Sequence, residues 1–394
     1  MVSPLSDLRV LDMSRVVAGP FATRMLSDLG AEVVKVEPPE GDVTRLWGDQ
    51  RDGLAGFYFQ QNAGKENICV DLRRPGGPEL IRRLARRADV LVENFRPGVM
   101  GRHGLAWDDL RDANPGLIML SISGFGARGP MADRPAYAPI IHAEVGLIAR
   151  QARFDGNFPS DPMFSFADTH ASLHGLVAVL AALHLRSRTG VGQHIDMAMF
   201  DAMLATDDYA HHLTDANWPI QRLGGHVFEA AGGPILLAGE MRYLWWLVHN
   251  RAGVADPAPD GADLETKVRT RRAAVAAWIA AFPQRSELTA RLDDLGIPHA
   301  EVREPEDVLS FPTIGPRGMV AEVPDRAGGV RPLVNSPYRF SDAEAGVRVG
   351  AAHRGEHNQT VLRRWLELDS EEIERLSGEG VILTASEQGD ADGH

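Results

Sequence analysis

Residues 9–37, RVLDMSRVVAGPFATRMLSDLGAEVVKVE, decide the fold because they hold one complete strand–helix–strand unit. Apolar runs at 9–13 and 32–37 predict two short strands, and residues 21–29 between them carry apolar side chains at helical spacing. Gly30 follows the helical stretch, where a C-terminal cap commonly stands. Strands that alternate with helices in this way predict parallel βαβ units.

The same alternation continues as far as residue 123. Further apolar runs predict strands at 67–72, 89–94 and 117–123, and residues 79–87 predict a second helix. Most of these runs are apolar throughout, which is typical of parallel strands that are covered on both faces. The first part of the chain therefore predicts an α/β fold built on a parallel sheet.

The rest of the chain is organised around a long helix at 169–188, whose centre is apolar nearly all round and which we expect to be buried. A strand at 194–199 follows it. Residues 215–233 are rich in glycine, proline and polar residues, and we interpret them as a linker or a long functional loop. Residues 234–315 then form a small domain with a helix at 270–281, and a short strand is possible at 331–334.

Composition and charge exclude several classes of protein. Of the 394 residues, 44% are hydrophobic and 24% are charged, so the chain can bury a sizeable core. Its 54 acidic and 41 basic residues give a formal net charge of −13, the wrong sign for a nucleic-acid partner. We expect neither secretion nor membrane spanning, because we find no 18-residue apolar run and no basic region followed by an apolar stretch. The single cysteine, Cys69, favours a reducing compartment, and we expect a cytoplasmic protein.

The familiar catalytic and metal-binding motifs are not found in the sequence. His170 and His174 have the i, i+4 spacing of two zinc ligands, but neither the HExxH glutamate nor a third ligand accompanies them, so we expect no metal. Cys69 lies in an apolar strand pattern and is interpreted as an inert buried thiol. Residues 124–129, GFGARG, match GxGxxG, but two prolines follow and no helix does, so a dinucleotide site is not predicted.

Asp168 is the carboxylate of most interest. It stands in FSFADT, residues 164–169, at the entry to the long apolar helix. The local pattern favours a plain helix-capping aspartate. The alternative is a carboxylate that the helix N-terminus keeps ionised and that faces a cleft, where it could attack an acyl carbon.

Several segments together carry a family resemblance: VLDMSRVVAGPF (10–21), LGAEVVKVE (29–37), ENFRPG (93–98), NPGLI (114–118), SGFG (123–126), TGVGQ (189–193) and GEH (355–357). The sequence resembles the class III CoA-transferases, a CaiB/BaiF-like family that includes formyl-CoA transferase, carnitine CoA-transferase and α-methylacyl-CoA racemase. The resemblance extends from about residue 5 to 385 and is weak between 215 and 330.

The resemblance implies a particular architecture. Residues 1–214 and 325–394 would form a large Rossmann-like, CoA-binding domain, and residues 215–324 a linker and a smaller α+β domain. Two such chains would be threaded through each other as an interlocked homodimer.

The resemblance also implies an activity, the transfer of CoA between an acyl-CoA thioester and a free carboxylic acid. The family's catalytic aspartate falls on Asp168, which attacks the thioester to give an aspartyl anhydride and then an aspartyl-CoA thioester. Acyl-CoA is a substrate here, and no permanently bound cofactor is expected. Gly224-Gly225 and Gly232-Gly233 are candidates for the mobile glycine loop of the transferases.

Eight further positions match the family's CoA-binding residues: Val16, Ala18, Leu72, Arg73, Asn94, Phe95, Arg102 and Tyr137. Arginine forks suit phosphates, and Phe95 can pack on adenine. With Arg74, these arginines would gather positive charge locally in an acidic protein.

One departure from the family pattern bears on the reaction. Tyr137 stands where the racemases place a histidine, and His142 lies five residues further on. Because a racemase needs two proton carriers at the substrate α-carbon, the sequence favours the transferase. Two alternatives stay open: an α-methylacyl-CoA epimerase that uses Asp168 with His142 or Tyr137, and a catalytically silent CoA-binding subunit.

Overall fold

The computed structural model describes residues 2–215 and 224–384. The chain divides into two compact units, one formed by Met1–Ala210 together with Gly315–His394 and the other by His211–Ile314. The strands are β1 Arg9–Asp12, β2 Glu32–Glu37, β3 Gln50–Arg51, β4 Leu54–Ala55, β5 Glu66–Cys69, β6 Val90–Glu93, β7 Ile118–Ser123, β8 His194–Ala198, β9 Gly225–Phe228, β10 Ile235–Ala238, β11 His299–Glu301, β12 Val320–Pro324 and β13 Val330–Val334. The helices are α1 Ala18–Asp28, α2 Gly56–Asn62, α3 Gly76–Ala85, α4 Val99–Arg102, α5 Trp107–Leu110, α6 Ala138–Glu144, α7 Leu147–Asp155, α8 Phe166–Thr189, α9 Met199–Thr206, α10 Ala210–Thr214, α11 Met241–Ala252, α12 Leu264–Ala280, α13 Arg285–Leu295, α14 Asn358–Leu366 and α15 Ser370–Gly378.

The first unit is built on a parallel sheet, whose strands lie in the order β5-β2-β1-β6-β7-β8 in the described part of the chain. After β1, the chain adds β2 and β5 on one side, and it then returns to add β6, β7 and β8 on the other. This is the strand order of a doubly wound, Rossmann-like fold. The α/β prediction with a parallel sheet is confirmed, and the predicted strand at 32–37 has the observed bounds.

Helices cover both faces of this sheet, which is why most residues of its central strands are apolar. Successive side chains of a strand point to opposite faces. Accordingly Leu11 of β1 packs in the core under α3, α14 and α15, which includes the fully buried Trp365. Its neighbour Val10 packs in the opposite core, under α1, α6 and α8.

Helix α8 differs from its prediction in two respects. It begins at Phe166, three residues before the predicted start, and only one of its faces is buried. Leu173, Val177 and Leu180 on the other face are exposed in the single chain, so burial on all sides is wrong for this helix.

The second unit is an antiparallel sheet, β11-β10-β9, packed against α11, α12 and α13. Helix α12 begins at Leu264, six residues before the predicted start, because the Asp263 carboxylate accepts the Thr266 N–H at 2.7 Å and caps a polar first turn.

Part of the predicted linker at 215–233 is a regular strand, so that interpretation is wrong for residues 225–228. Residues 216–223 of the linker lie outside the described residues. Gly225 opens β9 opposite Ala238. Gly232 and Gly233 lie in the connection to β10 with φ of 80° and 111°, a backbone conformation that favours glycine.

Candidate active site

A cleft opens at the carboxyl ends of β1, β6, β7 and β8. Its walls come from segments 15–18, 94–97, 122–124 and 132–137, and from the single residues Asp168 and Met199. The strand order reverses between β1 and β6, and open α/β sheets bind ligands at such a switch point. The cleft therefore occupies the place where this fold favours a ligand.

Six of the predicted site residues line this one cleft: Val16, Ala18, Asn94, Phe95, Tyr137 and Asp168. They come from four separate parts of the sequence, and the sheet brings them together. Gly124 permits the close approach of two walls, because a Cβ built on it would stand 2.5 Å from the Cβ of Ala136.

Asp168 lies in the first turn of α8. The helix begins at Phe166 with Ser165 as its N-cap residue, so a capping role for Asp168 is wrong. Instead, the nearby backbone N–H groups of Ala18 and of Asp168 itself act on the carboxylate and lower its pKa. Burial raises the pKa of Asp168 to about 6, and the two N–H donors oppose the rise. At neutral pH the carboxylate is mainly ionised, and no side-chain cation is among the groups that shift its pKa, so it is available as a nucleophile.

The loop after β1 is anchored on both sides of Ala18. Ser172 of α8 donates its hydroxyl to the Ala18 carbonyl, and to the Asp168 carbonyl at 2.7 Å. Two residues before Ala18, Val16 has a φ of 67°, and the Asp42 carboxylate accepts its N–H at 3.1 Å. The position of the Ala18 N–H at Asp168 is therefore set by contacts on two sides.

Asn94 ties the loops after β1 and β6 together. Its side-chain oxygen accepts the Arg15 N–H at 2.8 Å, and its side-chain nitrogen donates to the Arg15 carbonyl at 2.8 Å. The next residue, Phe95, donates its N–H to Glu93 at 2.8 Å, and its ring lies under the Arg15 guanidinium. Asn94 thus links the two loops through backbone contacts, and the partly buried Phe95 ring lies between the core and the Arg15 guanidinium.

Four charged side chains lie buried beneath this loop: Asp12, Lys35, Asp42 and Lys65. Lys65 Nζ is 2.9 Å from Asp12 Oδ2, and Lys35 Nζ is 3.3 Å from Asp42 Oδ2. Each lysine also donates to a backbone carbonyl. Burial opposes ionisation of Asp12, but Lys65 and Lys35 outweigh it and lower its pKa to about 2. Every charge in this set has a partner, as buried ions require.

Comparison with known proteins assigns the chain to a family. The model of CoA-transferase family III matches residues 5–358. The chain belongs to CoA-transferase family III.

Relatives of this family III CoA-transferase align over nearly the whole chain. Succinate–glutarate CoA-transferase of Agrobacterium fabrum is 34% identical over 91% of this chain and 95% of its own length. Formyl-CoA:oxalate CoA-transferase of Streptomyces avermitilis is 32% identical over 97% of this chain and 100% of its own. The crystal structure of a CAIB/BAIF family protein from Brucella suis is similar, with a TM-score of 0.79 and 33% identity, and covers 93% of this chain and 100% of that chain. The resemblance seen in the sequence is confirmed, and the chain is an enzyme of acyl-CoA metabolism.

Three of the residues predicted to bind CoA lie outside the residues that line the cleft of this CoA-transferase: Leu72, Arg73 and Arg102. Leu72 packs on the core under α3. Arg73 is 65% exposed and pairs with Asp71 and Glu40, at 2.8 and 2.6 Å. Arg102 is exposed at the end of α4. The arginines predicted for the CoA phosphates are thus surface groups.

His142 is part of the support beneath α8. Its Nε2 accepts the Ala167 N–H at 3.2 Å, and its Nδ1 lies 2.8 Å from Asp161 Oδ1. It is buried and is not among the residues that line the cleft, whereas Tyr137 lines the cleft and is 67% exposed.

Sequence reasoning missed several residues of the cleft. Ser123 Oγ is covered and lacks a hydrogen-bond partner among the described residues. Arg15, Arg96 and Arg134 also line the cleft and bring positive charge to it. A signal for Ser123 existed, since it ends a predicted strand on the ligand-binding edge of the sheet.

The described residues contain no group of three histidine, cysteine, aspartate or glutamate side chains that could hold a metal ion. Cys69 is buried as predicted, and burial raises the pKa of its thiol to about 12, far from the range of a reactive thiolate.

Proposed function

We propose that the chain transfers CoA between an acyl-CoA thioester and a free carboxylic acid through covalent intermediates on Asp168. The carboxylate attacks the thioester carbonyl, the C–S bond breaks, and the CoA thiolate leaves an acyl aspartyl anhydride. The thiolate then attacks the aspartyl carbonyl and expels the first acid as its carboxylate. The acceptor carboxylate attacks the aspartyl-CoA thioester, and the returning thiolate takes the acceptor's acyl group and frees Asp168. No net proton or electron is exchanged.

The observation that carries this proposal is the placement of Asp168, half-buried in the cleft at the switch point of the sheet, with N–H donors and no cation at its carboxylate. Burial removes part of its hydration, while a pKa of about 6 leaves it ionised at neutral pH. The names of the relatives support the chemistry, because each transfers CoA between carboxylic acids.

Oxygen labelling tests the covalent route directly. An acceptor acid with ¹⁸O in its carboxylate should deliver one ¹⁸O to Asp168 per catalytic cycle, detectable by mass spectrometry of the peptide that contains residues 164–169. Asp168→Ala should abolish CoA exchange. Asp201→Ala is the matched control, because Asp201 holds the same position in the first turn of α9 but is exposed. Exchange that survives in Asp168→Ala would overturn the proposal.

We place CoA along the edge of the sheet that Val16, Ala18, Asn94 and Phe95 form, with the thioester at Asp168. The adenine would stack on Phe95, and the phosphates would extend toward Leu72, Arg73 and Arg102 outside the cleft. Tyr137, on the opposite wall, would contact the acyl part. Acyl-CoA is the substrate in this arrangement, and no bound cofactor takes part.

An epimerase would require a second proton carrier opposite Asp168. Both ring nitrogens of His142 are engaged with α8 and Asp161, which supports the transferase. Deuterium wash-in at the α-carbon of an acyl-CoA, in the absence of an acceptor acid, would instead favour the epimerase. Tight CoA binding with neither reaction would indicate a silent subunit.

We also propose a cytoplasmic homodimer in which a second copy covers the outer face of α8. Leu173, Val177 and Leu180 form an exposed apolar stripe at i, i+4, i+7 spacing. By length and composition α8 could also cross a membrane, although core helices of soluble proteins pass the same test. Light scattering should give twice the mass of the chain, and Val177→Lys should shift it toward the monomer. Leu264→Lys, at an exposed residue of α12, is the control, and a monomer that binds lipid vesicles would overturn the proposal.

A further inference from the structure

Val16 adopts a backbone conformation that its side chain disfavours. Its φ of 67° lies in the left-handed region, and it is the one β-branched residue with a positive φ in the described ranges, 2–215 and 224–384. A β-branched side chain clashes with the backbone there, so the conformation persists only if its surroundings hold it.

The Asp42 carboxylate stabilises this conformation of Val16. Its Oδ2 accepts the Val16 N–H at 3.1 Å, and its Oδ1 accepts the N–H and the hydroxyl of Thr44 at 3.0 and 2.8 Å. The Asp42 N–H itself donates to Glu37 at 2.9 Å. The carboxylate is therefore fixed in orientation, with one oxygen committed to Thr44 and the other directed at Val16.

Lys35 completes the arrangement from the sheet below. Its Nζ lies 3.3 Å from Asp42 Oδ2 and donates to the Ser14 carbonyl at 2.8 Å. Both side chains are 1% exposed. The pair thus contacts the loop at two points, the Ser14 carbonyl and the Val16 N–H.

We propose that Asp42, supported by Lys35, is a positioning residue for Asp168: it holds Val16 in the left-handed conformation and so keeps the Ala18 N–H at the Asp168 carboxylate. Ser172 holds the Ala18 carbonyl from the other side. This inference rests on the proposed function, because it assigns the loop a role in presenting the nucleophile.

The variant Asp42→Asn tests the inference with almost no change of shape. Oδ1 can still accept the hydrogen bonds from Thr44. The new NH₂ group, however, faces the Val16 N–H and the Lys35 ammonium, which are also donors, so neither bond can form. The loop should leave its position, and Asp168 should lose the Ala18 N–H. We expect kcat to fall roughly 10- to 100-fold at pH 7 while KM changes little.

The acid limb of kcat/KM, the pH range in which activity is lost on acidification, distinguishes a positioning role of Asp42 from a simple effect of its charge on Asp168. Loss of an N–H donor disfavours the ionised carboxylate, so positioning predicts an upward shift of the limb by roughly 0.5 to 1 pH unit. Loss of the negative charge of Asp42 alone would shift it downward. The other ionisable groups about Asp168 are the same in both proteins: Arg15, Arg96, Arg134 and Tyr137 in the cleft, and His142 behind Ala167.

Two further variants keep the test decisive. Asp42→Asn with Lys35→Met removes the pair without leaving a lone buried charge, and it should shift the limb in the same direction. Asp28→Asn is the matched control, because Asp28 is paired with Arg24 in a similarly buried bridge at the far end of α1. Asp28→Asn should lower the free energy of unfolding and leave the acid limb of kcat/KM unchanged.

The inference would be overturned if the acid limb of kcat/KM stayed in place or moved to lower pH in both Asp42 variants. It would also be overturned if Asp28→Asn shifted that limb upward by the same amount. The ¹⁸O experiment on the wild-type enzyme identifies which proposal fails. If Asp168 acquires no label, the proposed function is wrong. If Asp168 is labelled but the Asp42 variants do not shift the acid limb upward, only the role of Asp42 is wrong.

Discussion

Two sets of charged side chains differ sharply in their surroundings. The set beneath residues 14–18 is buried, paired and fixed by the backbone, with the Lys65–Asp12 bridge no more than 1% exposed. Arg73, predicted for the CoA phosphates, is 65% exposed and is paired with the exposed Glu40 and with Asp71. Charges in the interior interact strongly and resist screening, whereas exposed pairs contribute little. In the proposed reaction, the end of the site at Asp168 would be organised before substrate arrives, whereas the arginines proposed for the phosphates would be free to rearrange around the ligand.

The largest effect is expected where the buried set is broken. Lys65→Met leaves Asp12 without its nearest cation, and the free energy of unfolding should fall by about 3–5 kcal/mol. Urea denaturation measures the change. Arg82→Met, which removes an exposed ion pair with Glu79, is the control and should cost no more than about 1 kcal/mol. Similar losses of unfolding free energy in the two variants would contradict the prediction that buried ion pairs contribute more to stability than exposed ones.

The second prediction concerns the pH dependence of the reaction. Burial raises the pKa of Asp168 to about 6, and the protonated acid is not a nucleophile, so kcat/KM should be lost as the pH falls through about 6. Below that point it should decrease about tenfold per pH unit. Because the group is partly buried, added salt should move this limb little. CoA binding to Asp168→Asn should show no step near pH 6, and a limb near pH 4 would indicate a fully hydrated carboxylate.

Ser123 should show an intermediate effect, since its hydroxyl faces neither bulk water nor a protein partner among the described residues. Ser123→Ala should reduce kcat/KM by roughly 2- to 10-fold, the value of one hydrogen bond to substrate, and leave unfolding unchanged. Ser172→Ala is the comparison, because it loses bonds to Ala18 and Asp168 and should destabilise the fold. Steady-state kinetics and urea titration together distinguish the two serines. Unchanged kinetics for Ser123→Ala would remove it from the site.

The smallest effect is expected at the surface arginine. Arg73→Ala should raise KM for acyl-CoA a few-fold at low ionic strength, and the difference should disappear at high salt because exposed charges are screened. Arg111→Ala serves as the control, since Arg111 is also mostly exposed and lies beside carboxylates, those of Asp108 and Asp112. An effect on kcat, or one that salt does not reduce, would place Arg73 with the preorganised groups.

The sequence predicted the order of elements well, because strands covered on both faces are mostly apolar and helices show their own period. It also led to Asp168, through the family resemblance. The local pattern alone favoured a capping role, whereas in the structure an N–H of the first turn of α8, that of Ala167, donates to His142, 25 residues earlier in the chain. Contacts of that kind leave no local signal.

The buried charges were not predicted for a related reason. Lys35 stands between valines in β2, and its neighbour Asp12 becomes visible only through the register of β1 with β2. Asp42 and Lys65 join them from separate loops. The exposed stripe of α8 was missed because sequence periodicity does not tell whether an apolar face packs inside one chain or against another molecule.

The helices α14 and α15, which close one face of the parallel sheet, bear on the synthesis of the protein. Residues after 355 supply Trp365 and Leu376 to the core of that face, and Ile382 bridges Val70 beyond the end of β5. A ribosome that has finished β6 must still add about 290 residues, which takes roughly 15–60 s at ~5–20 residues per second. During that interval α3 covers only part of this apolar face, and a chaperone that shields apolar surfaces could bind the remainder until translation ends.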